Sequence, residues 1–278
     1  MQQTIQSLVL ADVPREQIEL WCRQRTQHYV ASSDKTGASI VARVLGKYLM
    51  AVDALDEALT PHLVLDGIWE PWVTMAIARH VKPGMRCMDV GACYGYYSLL
   101  MADIVGKDGV VQAWEPVWDG AVNLNANLNG LPVEVVHYVM GTAIGELYAI
   151  SKIPKTFYNA GDVKMKRITP DVGEWCPNDK VMIVAPAAAA WDFIKIDVEG
   201  AEADVWDALG GVRDVSPKLT VCMEFTPEKH ADPERFLRDI ENSFTIGTCG
   251  HDGTPRPCSI EEALVPDTGG FRMLWLTR

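Results

Sequence analysis

The sequence predicts an α/β domain built on a mostly parallel sheet, preceded by an N-terminal helix and a β-hairpin. Three observations lead there. From residue 85 onward, short apolar or β-branched runs alternate with helical patterns, the sign of βαβ units. The first of these runs is followed by a Gly-x-x-x-Gly turn, Asp89 to Gly95, that opens onto a helix. At 278 residues and 48% hydrophobic content, the chain can bury one large core, or one core and a small appendage. The expected division is an extension over 1–60 and the sheet domain over 61–278.

Residues 15–30 bring Ile18, Trp21 and Cys22 to helical spacing, which predicts an amphipathic helix. Residues 39–53 are β-branched and apolar on either side of Gly46-Lys47, the pattern of a hairpin. A helix from Pro71 to His80 is stopped by Lys82-Pro83-Gly84. Strands are then expected over 85–90, 110–114, 133–139, 191–198, 219–225, 244–248 and 271–276. A helix over 96–105 ends at Gly106, and another ends at Gly130 with Val117, Ala121, Leu124 and Leu128 inward. Further on, one helix uses Ala201, Val205, Ala208 and Leu209, and Asp232-Pro233 opens one with Phe236, Leu237 and Ile240 inward. Residues 145–187 lack a clean period, so strand fragments and a long loop near the site are expected.

Composition narrows the function classes. Lys plus Arg number 25 against 37 Asp plus Glu, a net charge of −12 that disfavours a free nucleic-acid partner. The seven cysteines are scattered, odd in number and free of Cys-x-x-Cys pairs, which fits a reducing cytoplasm. No basic flank precedes a long apolar run at the N-terminus, and no segment reaches the roughly eighteen apolar residues of a membrane span. A cytoplasmic protein without a membrane partner is therefore expected, and a homo-oligomer is compatible with it.

In an open parallel sheet a ligand sits beyond the carboxyl ends of the strands, closest to the first strand-to-helix turn. Here Gly91 and Gly95 let the backbone turn sharply, and Asp89 can hold the loop or a ligand amino group. A dinucleotide needs the tighter Gly-x-Gly-x-x-Gly triplet to set its pyrophosphate on a helix N-terminus. S-adenosylmethionine has no phosphate and tolerates the looser loop. Glu115 ends the second strand roughly 20 residues after Gly95, where an acid can accept from both ribose hydroxyls. Alternatively Glu115, standing before Pro116, only favours a helix N-terminus. Candidate cofactor contacts are Glu70, Asp89, Gly91, Ala92, Cys93, Gly95, Tyr96, Glu115, Pro116 and Asp197.

On the run Phe193 to Glu199, the two-residue period sends Ile194, Ile196 and Val198 to one face and Lys195, Asp197 and Glu199 to the other. Polar residues inside a central strand are costly unless they serve a site. Asp197 and Glu199 are thus the first candidates for removing a proton from an acceptor hydroxyl, with His230 behind them and Glu224 able to join. Lys195 can pair with a carboxylate, and Glu202 can cap the next helix. Several carboxylates together can also hold a hard divalent ion, which leaves a metal requirement open.

At these residues the chain resembles the FkbM family of methyltransferases. The resemblance lies in Gly67 to Pro71, Asp89 to Ser98, Trp114-Glu115-Pro116, Asn123 to Gly130 and, most specifically, Phe193 to Glu202. It implies a class I methyltransferase (Rossmann-like) seven-stranded sheet with an antiparallel last strand, Glu115 on the ribose, and S-adenosylmethionine-dependent O-methylation. The implied acceptor is a hydroxyl on a small metabolite, sugar, glycan or natural product. The family usually has Asn where Cys93 stands, and a Leu-Asp pair where this chain reads Ala188-Ala189-Ala190. Asn159-Ala160-Gly161 resembles a family Asn-x-Gly element, which implies a place facing the acceptor; an ordinary turn is the alternative reading. Two other functions remain open: a nicotinamide-dependent oxidoreductase, and a non-catalytic S-adenosylmethionine-binding regulatory protein.

Overall fold

The computed structural model describes residues 3–34, 37–150, 159–160, 165–167, 180–267 and 269–278. Gly161 of the Asn-x-Gly element, Cys176 and much of the irregular stretch lie outside them.

The chain opens with helices α1 (Ile5–Leu10) and α2 (Arg15–Arg23), then strands β1 (His28–Asp34), β2 (Gly37–Val44) and β3 (Tyr48–Asp53). Helices α3 (Leu59–Leu65) and α4 (Pro71–His80) lead into β4 (Arg86–Val90), α5 (Tyr96–Val105), β5 (Val110–Trp114), α6 (Asp119–Asn129) and β6 (Glu134–Val136). A smaller group follows: β7 (Val139–Met140), β8 (Leu147–Ile150), β9 (Met165–Arg167) and β10 (Lys180–Val184). The last part is β11 (Phe193–Ile196), α7 (Glu202–Ala208), α8 (Gly210–Val215), β12 (Thr220–Phe225), α9 (Pro233–Glu241), β13 (Thr245–Cys249), β14 (Pro255–Pro257), α10 (Ile260–Ala263) and β15 (Arg272–Thr277).

The central sheet has eight strands in the order β14-β13-β15-β12-β11-β4-β5-β6. β6 through β12 run parallel, and β15 inserts antiparallel between β12 and β13. Without the short edge strand β14, this is the seven-stranded class I methyltransferase sheet with its antiparallel last strand. The order in which the chain adds its strands reverses at β4 and β11, with β5 and β6 laid to one side and β12 to the other, so the switch point lies over those two strand ends.

Period-two alternation divides the core between the sheet's faces. Cys87, Phe193, Cys222, Met273 and Trp275 pack toward α4 and α5, while Met88, Val90, Ile194, Ile196, Val221 and Met223 pack with Val205, Trp206 and Leu237. The N-terminal elements share the first of these clusters through Val9, Ile18, Cys22 and Met50, so the extension is part of the same core.

Several expectations need correction. The helix predicted over 15–30 ends at Arg23, and the hairpin gains a third strand, β1, paired antiparallel to β2. The strand predicted over 133–139 is split: β6 stays on the central sheet, and β7 pairs instead with β10 in a four-stranded sheet. The inner face of α6 also differs. Leu124 and Leu128 are exposed, whereas Val122, Asn125 and Ala126 are buried. The cause is hydrogen bonding: the Asn125 side chain accepts from Ala51 N–H and donates to Ala51 O, and Asn129 does the same with Leu49. Four residues of helix rise about as far as two of strand, so two amides spaced i, i+4 satisfy the open edge of β3.

Candidate functional site

A cavity of about 580 Å³ opens at the carboxyl ends of β4, β5, β11 and β12. Its floor is the turn after β4. Gly91 has φ +79°, and a Cβ added there would meet the Asp197 carbonyl oxygen at 1.8 Å, so the ends of β4 and β11 touch only because residue 91 has no side chain. The close neighbour on the Cβ side is backbone, and Gly91 also lines the cavity. Gly95, with φ +87°, starts α5 and lies against Val122.

Glu115 ties the β5 side together. Its carboxylate accepts from Cys93 N–H at 2.7 Å, Val117 N–H at 2.8 Å and Trp118 N–H at 3.1 Å. It therefore clamps the glycine turn to the start of α6 while still lining the cavity. Burial pushes its pKa up to about 7, against the pull of the three N–H groups.

The β11 and β12 side is different. Lys195 is 2% exposed, on the α4 and α5 face of β11, with its Nζ 3.0 Å from Asp197 Oδ2 and 4.8 Å from the centre of the Tyr97 ring. Burial works against its charge, but Asp197, Asp89 and Glu70 outweigh it and raise its pKa. Tyr97 Oη in turn donates to Glu70 Oε2 at 2.7 Å. Asp197, Glu199 and Glu224 place carboxylate oxygens within 4.8 Å of one another, the only such acidic group among the described residues. Lys229 pairs with Glu199 at the mouth. Burial first, then repulsion from Asp197, raises Glu70 to about 7, and the same causes with Glu199 added raise Glu224 to about 9.

Backbone strain is concentrated here. Of the five described non-glycine residues with positive φ, three line this cavity: Glu70 at +38°, Cys93 at +49° and Glu199 at +57°. Such conformations cost about 1–3 kcal/mol each and gather at functional sites. The left-handed region favours Asn among side-chain-bearing residues, which gives a physical reason for the Asn expected where Cys93 stands.

Of the residues singled out from sequence, Trp69, Glu70, Gly91, Cys93, Glu115, Pro116, Asn159, Ala160, Asp197, Glu199 and Glu224 line the cavity. Asp89, Ala92, Gly95 and Tyr96 do not. Asp89 is buried and accepts from Ser98 Oγ at 2.6 Å, while Tyr96 Oη receives Trp69 N–H, so both hold the scaffold. His230 is also off the cavity, stacked on Phe236 and beside Phe225, with Nε2 3.3 Å from Glu202 Oε2 but without hydrogen-bond alignment. Glu202 accepts from Gly200 N–H at 2.9 Å and so fixes the turn after β11.

Sequence reasoning missed Lys229, Phe271 and the Ala58-Leu59 wall. It also missed Asp56, whose carboxylate accepts from Leu59, Thr60 and Ala160 N–H and thereby fixes both that wall and Ala160. An acid three residues ahead of a helical run was the available signal for Asp56. A second cavity of about 400 Å³, lined by Thr248 to Asp252, Arg256 and Arg272, lies at the β13–β14 edge of the sheet, around the hairpin turn closed by Gly250 N–H and Thr254 O, away from the switch point.

Among the described residues, no helix is long and apolar enough to cross a membrane. No family model and no curated protein matches the chain. Solved structures similar to it include a SAM-dependent methyltransferase from Aquifex aeolicus, at 16% identity over 71% of this chain and 85% of that one, TM-score 0.39. A SAM-dependent O-methyltransferase from Thermotoga maritima matches at 13% over 74% of this chain and 64% of that one, TM-score 0.41. TYW2 of M. jannaschii, in complex with AdoMet, matches at 11% over 89% and 87%, TM-score 0.45. These likenesses are distant; the fold assignment stands on strand order and direction.

Proposed function

We propose that the chain is an S-adenosylmethionine-dependent methyltransferase acting on a hydroxyl of a small metabolite, sugar or natural product. The observation that carries the reading is the charge of the cavity at the switch point. Glu70, Glu115, Asp197, Glu199, Glu224 and Glu228 line it, and Lys229 is the one lining cation among the described residues. A pyrophosphate would be repelled there, which disfavours a nicotinamide dinucleotide. A phosphate-free, cationic nucleoside fits that lining.

When bound, S-adenosylmethionine supplies an electrophilic methyl group on a sulfonium. Glu115, at the end of β5, is placed to accept from a ribose hydroxyl with the one lone pair its three backbone donors leave free, on Oε2. The turn from Gly91 to Gly95 forms the floor between the two ends of the site. Glu70, Asp197, Glu199 and Glu224 occupy the other end and are the groups able to take the proton that an acceptor hydroxyl must lose. Lys195 holds the Asp197 carboxylate, which keeps that side chain fixed for positioning the acceptor. Resemblance to the FkbM family at Phe193 to Glu202 supports the O-methyl reading. The spacing of Asp197, Glu199 and Glu224 also suits a hard divalent ion, and activity after chelation would reveal that need.

The test is incubation with methyl-labelled S-adenosylmethionine and extracts fractionated into lipids, glycans, small metabolites and proteins. Base-stable label in the glycan or small-metabolite fraction is expected. Label in none would favour a regulatory binding protein, and NADH binding in a fluorescence titration would favour the oxidoreductase.

A further inference from the structure

The four carboxylates on the β11 and β12 side are not equally compensated. Asp197 has Lys195 at 3.0 Å, and Glu199 has Lys229. Among the described residues, Glu70, 6% exposed, accepts a hydrogen bond from the neutral Tyr97 hydroxyl and is attracted by Lys195, whose direct partner is Asp197. Among the described residues none donates a hydrogen bond to the Glu224 carboxylate. Two carboxylates thus face the cavity without a cation of their own.

Their position along the sheet edge matters. β5 and β11 flank β4, and neighbouring strands lie about 4.8 Å apart, so Glu115 and Asp197 stand about 10 Å from each other across the turn. A nucleoside whose ribose reaches Glu115 directs its other end toward Asp197, Glu70 and Glu224. In S-adenosylmethionine that end carries the sulfonium, a fixed positive charge; in its demethylated product, S-adenosylhomocysteine, the sulfur is neutral.

We infer that the acidic half of this cavity is a charge selector: Glu70 and Glu224, with the lysine-paired Asp197 and Glu199 beside them, hold the methyl-loaded cofactor in preference to its neutral product. The inference rests on the S-adenosylmethionine reading and adds a specificity to it. A unit charge beside a buried carboxylate that has no cation in direct contact changes affinity by roughly tenfold or more. The raised pKa values of Glu70 and Glu224 agree with a site that resists full ionisation until a cation arrives. Transfer of the methyl group converts sulfonium to thioether, removes the charge and loosens the product, so the site clears itself after each turnover.

The experiment is calorimetric titration of the whole chain, in chelator, with S-adenosylmethionine, S-adenosylhomocysteine and sinefungin, whose amine places a positive charge near the position of the transferable methyl. S-adenosylmethionine and sinefungin should bind roughly tenfold or more tighter than S-adenosylhomocysteine. The gap should close toward unity in Glu70→Gln and in Glu224→Gln, each checked for folding by circular dichroism. S-adenosylhomocysteine binding as tightly as S-adenosylmethionine to the wild-type chain overturns the inference and leaves the cofactor reading standing. Binding by none of the three overturns that reading and the inference with it.

Discussion

The two halves of the cavity solve the problem of burying carboxylates in opposite ways. On the β5 side Glu115 is satisfied by three backbone N–H groups, so its charge serves the scaffold whether or not a ligand is present. On the β11 and β12 side, four carboxylates share two lysines, and the backbone at Glu70 and Glu199 is held in the left-handed region. The first half is a clamp built to stay fixed. The second concentrates carboxylates and strained backbone, and its excess charge is relieved by protons in the ligand-free protein or, on the present proposal, by a positively charged occupant.

The sharpest way to break this contrast is at the junction of the halves. Gly91→Ala puts a methyl group onto the Asp197 carbonyl in a backbone region closed to alanine, and should destabilise the fold by more than about 4 kcal/mol in urea unfolding. Next in size is Glu115→Ala. It leaves the N–H groups of Cys93, Val117 and Trp118 without an acceptor, so a loss of about 2–4 kcal/mol is expected together with weaker S-adenosylmethionine binding. A stability change near zero would show that Glu115 is no clamp.

The acidic half should instead reveal itself through pH. Glu70 near 7 and Glu224 near 9 keep protons in the folded protein that the unfolded chain, with carboxylates near 4.5, has already released. Stability from these groups is fully present below about pH 4.5 and is lost as pH rises through 7 and 9. The melting temperature of the ligand-free protein should fall over that window, and Glu70→Gln or Glu224→Gln should flatten the slope. The smallest expected effect is Cys93→Asn, which suits φ +49° and should stabilise by about 0.5–1 kcal/mol in thermal melts.

The same contrast explains what could be read from sequence. Strand ends carrying Gly91, Glu115 and Asp197 were legible because alternation and spacing are local, and the sheet order follows from right-handed βαβ connections. The face of α6 was not, since Asn125 and Asn129 point inward only because an open strand edge far earlier in the chain needs partners. β7 pairs with β10 and not with the central sheet, a partner 44 residues later and invisible to any local pattern. Glu70 reads as an ordinary acid before Pro71 until Tyr97, Lys195 and Asp197 are brought around it. His230 follows β12 closely in sequence, yet apolar packing by Phe225 and Phe236 turns it away from the cavity.

The central claim is that S-adenosylmethionine occupies the cavity over β4 and touches both halves. Hydrogen–deuterium exchange with and without S-adenosylmethionine tests it most directly, because the amides of the clamp and of the turn after β11 report locally. Protection is predicted at Gly91 to Gly95, Glu115 to Trp118 and Asp197 to Gly200. Protection confined to Thr248 to Arg256, around the other cavity, or no protection at saturating ligand, would contradict it.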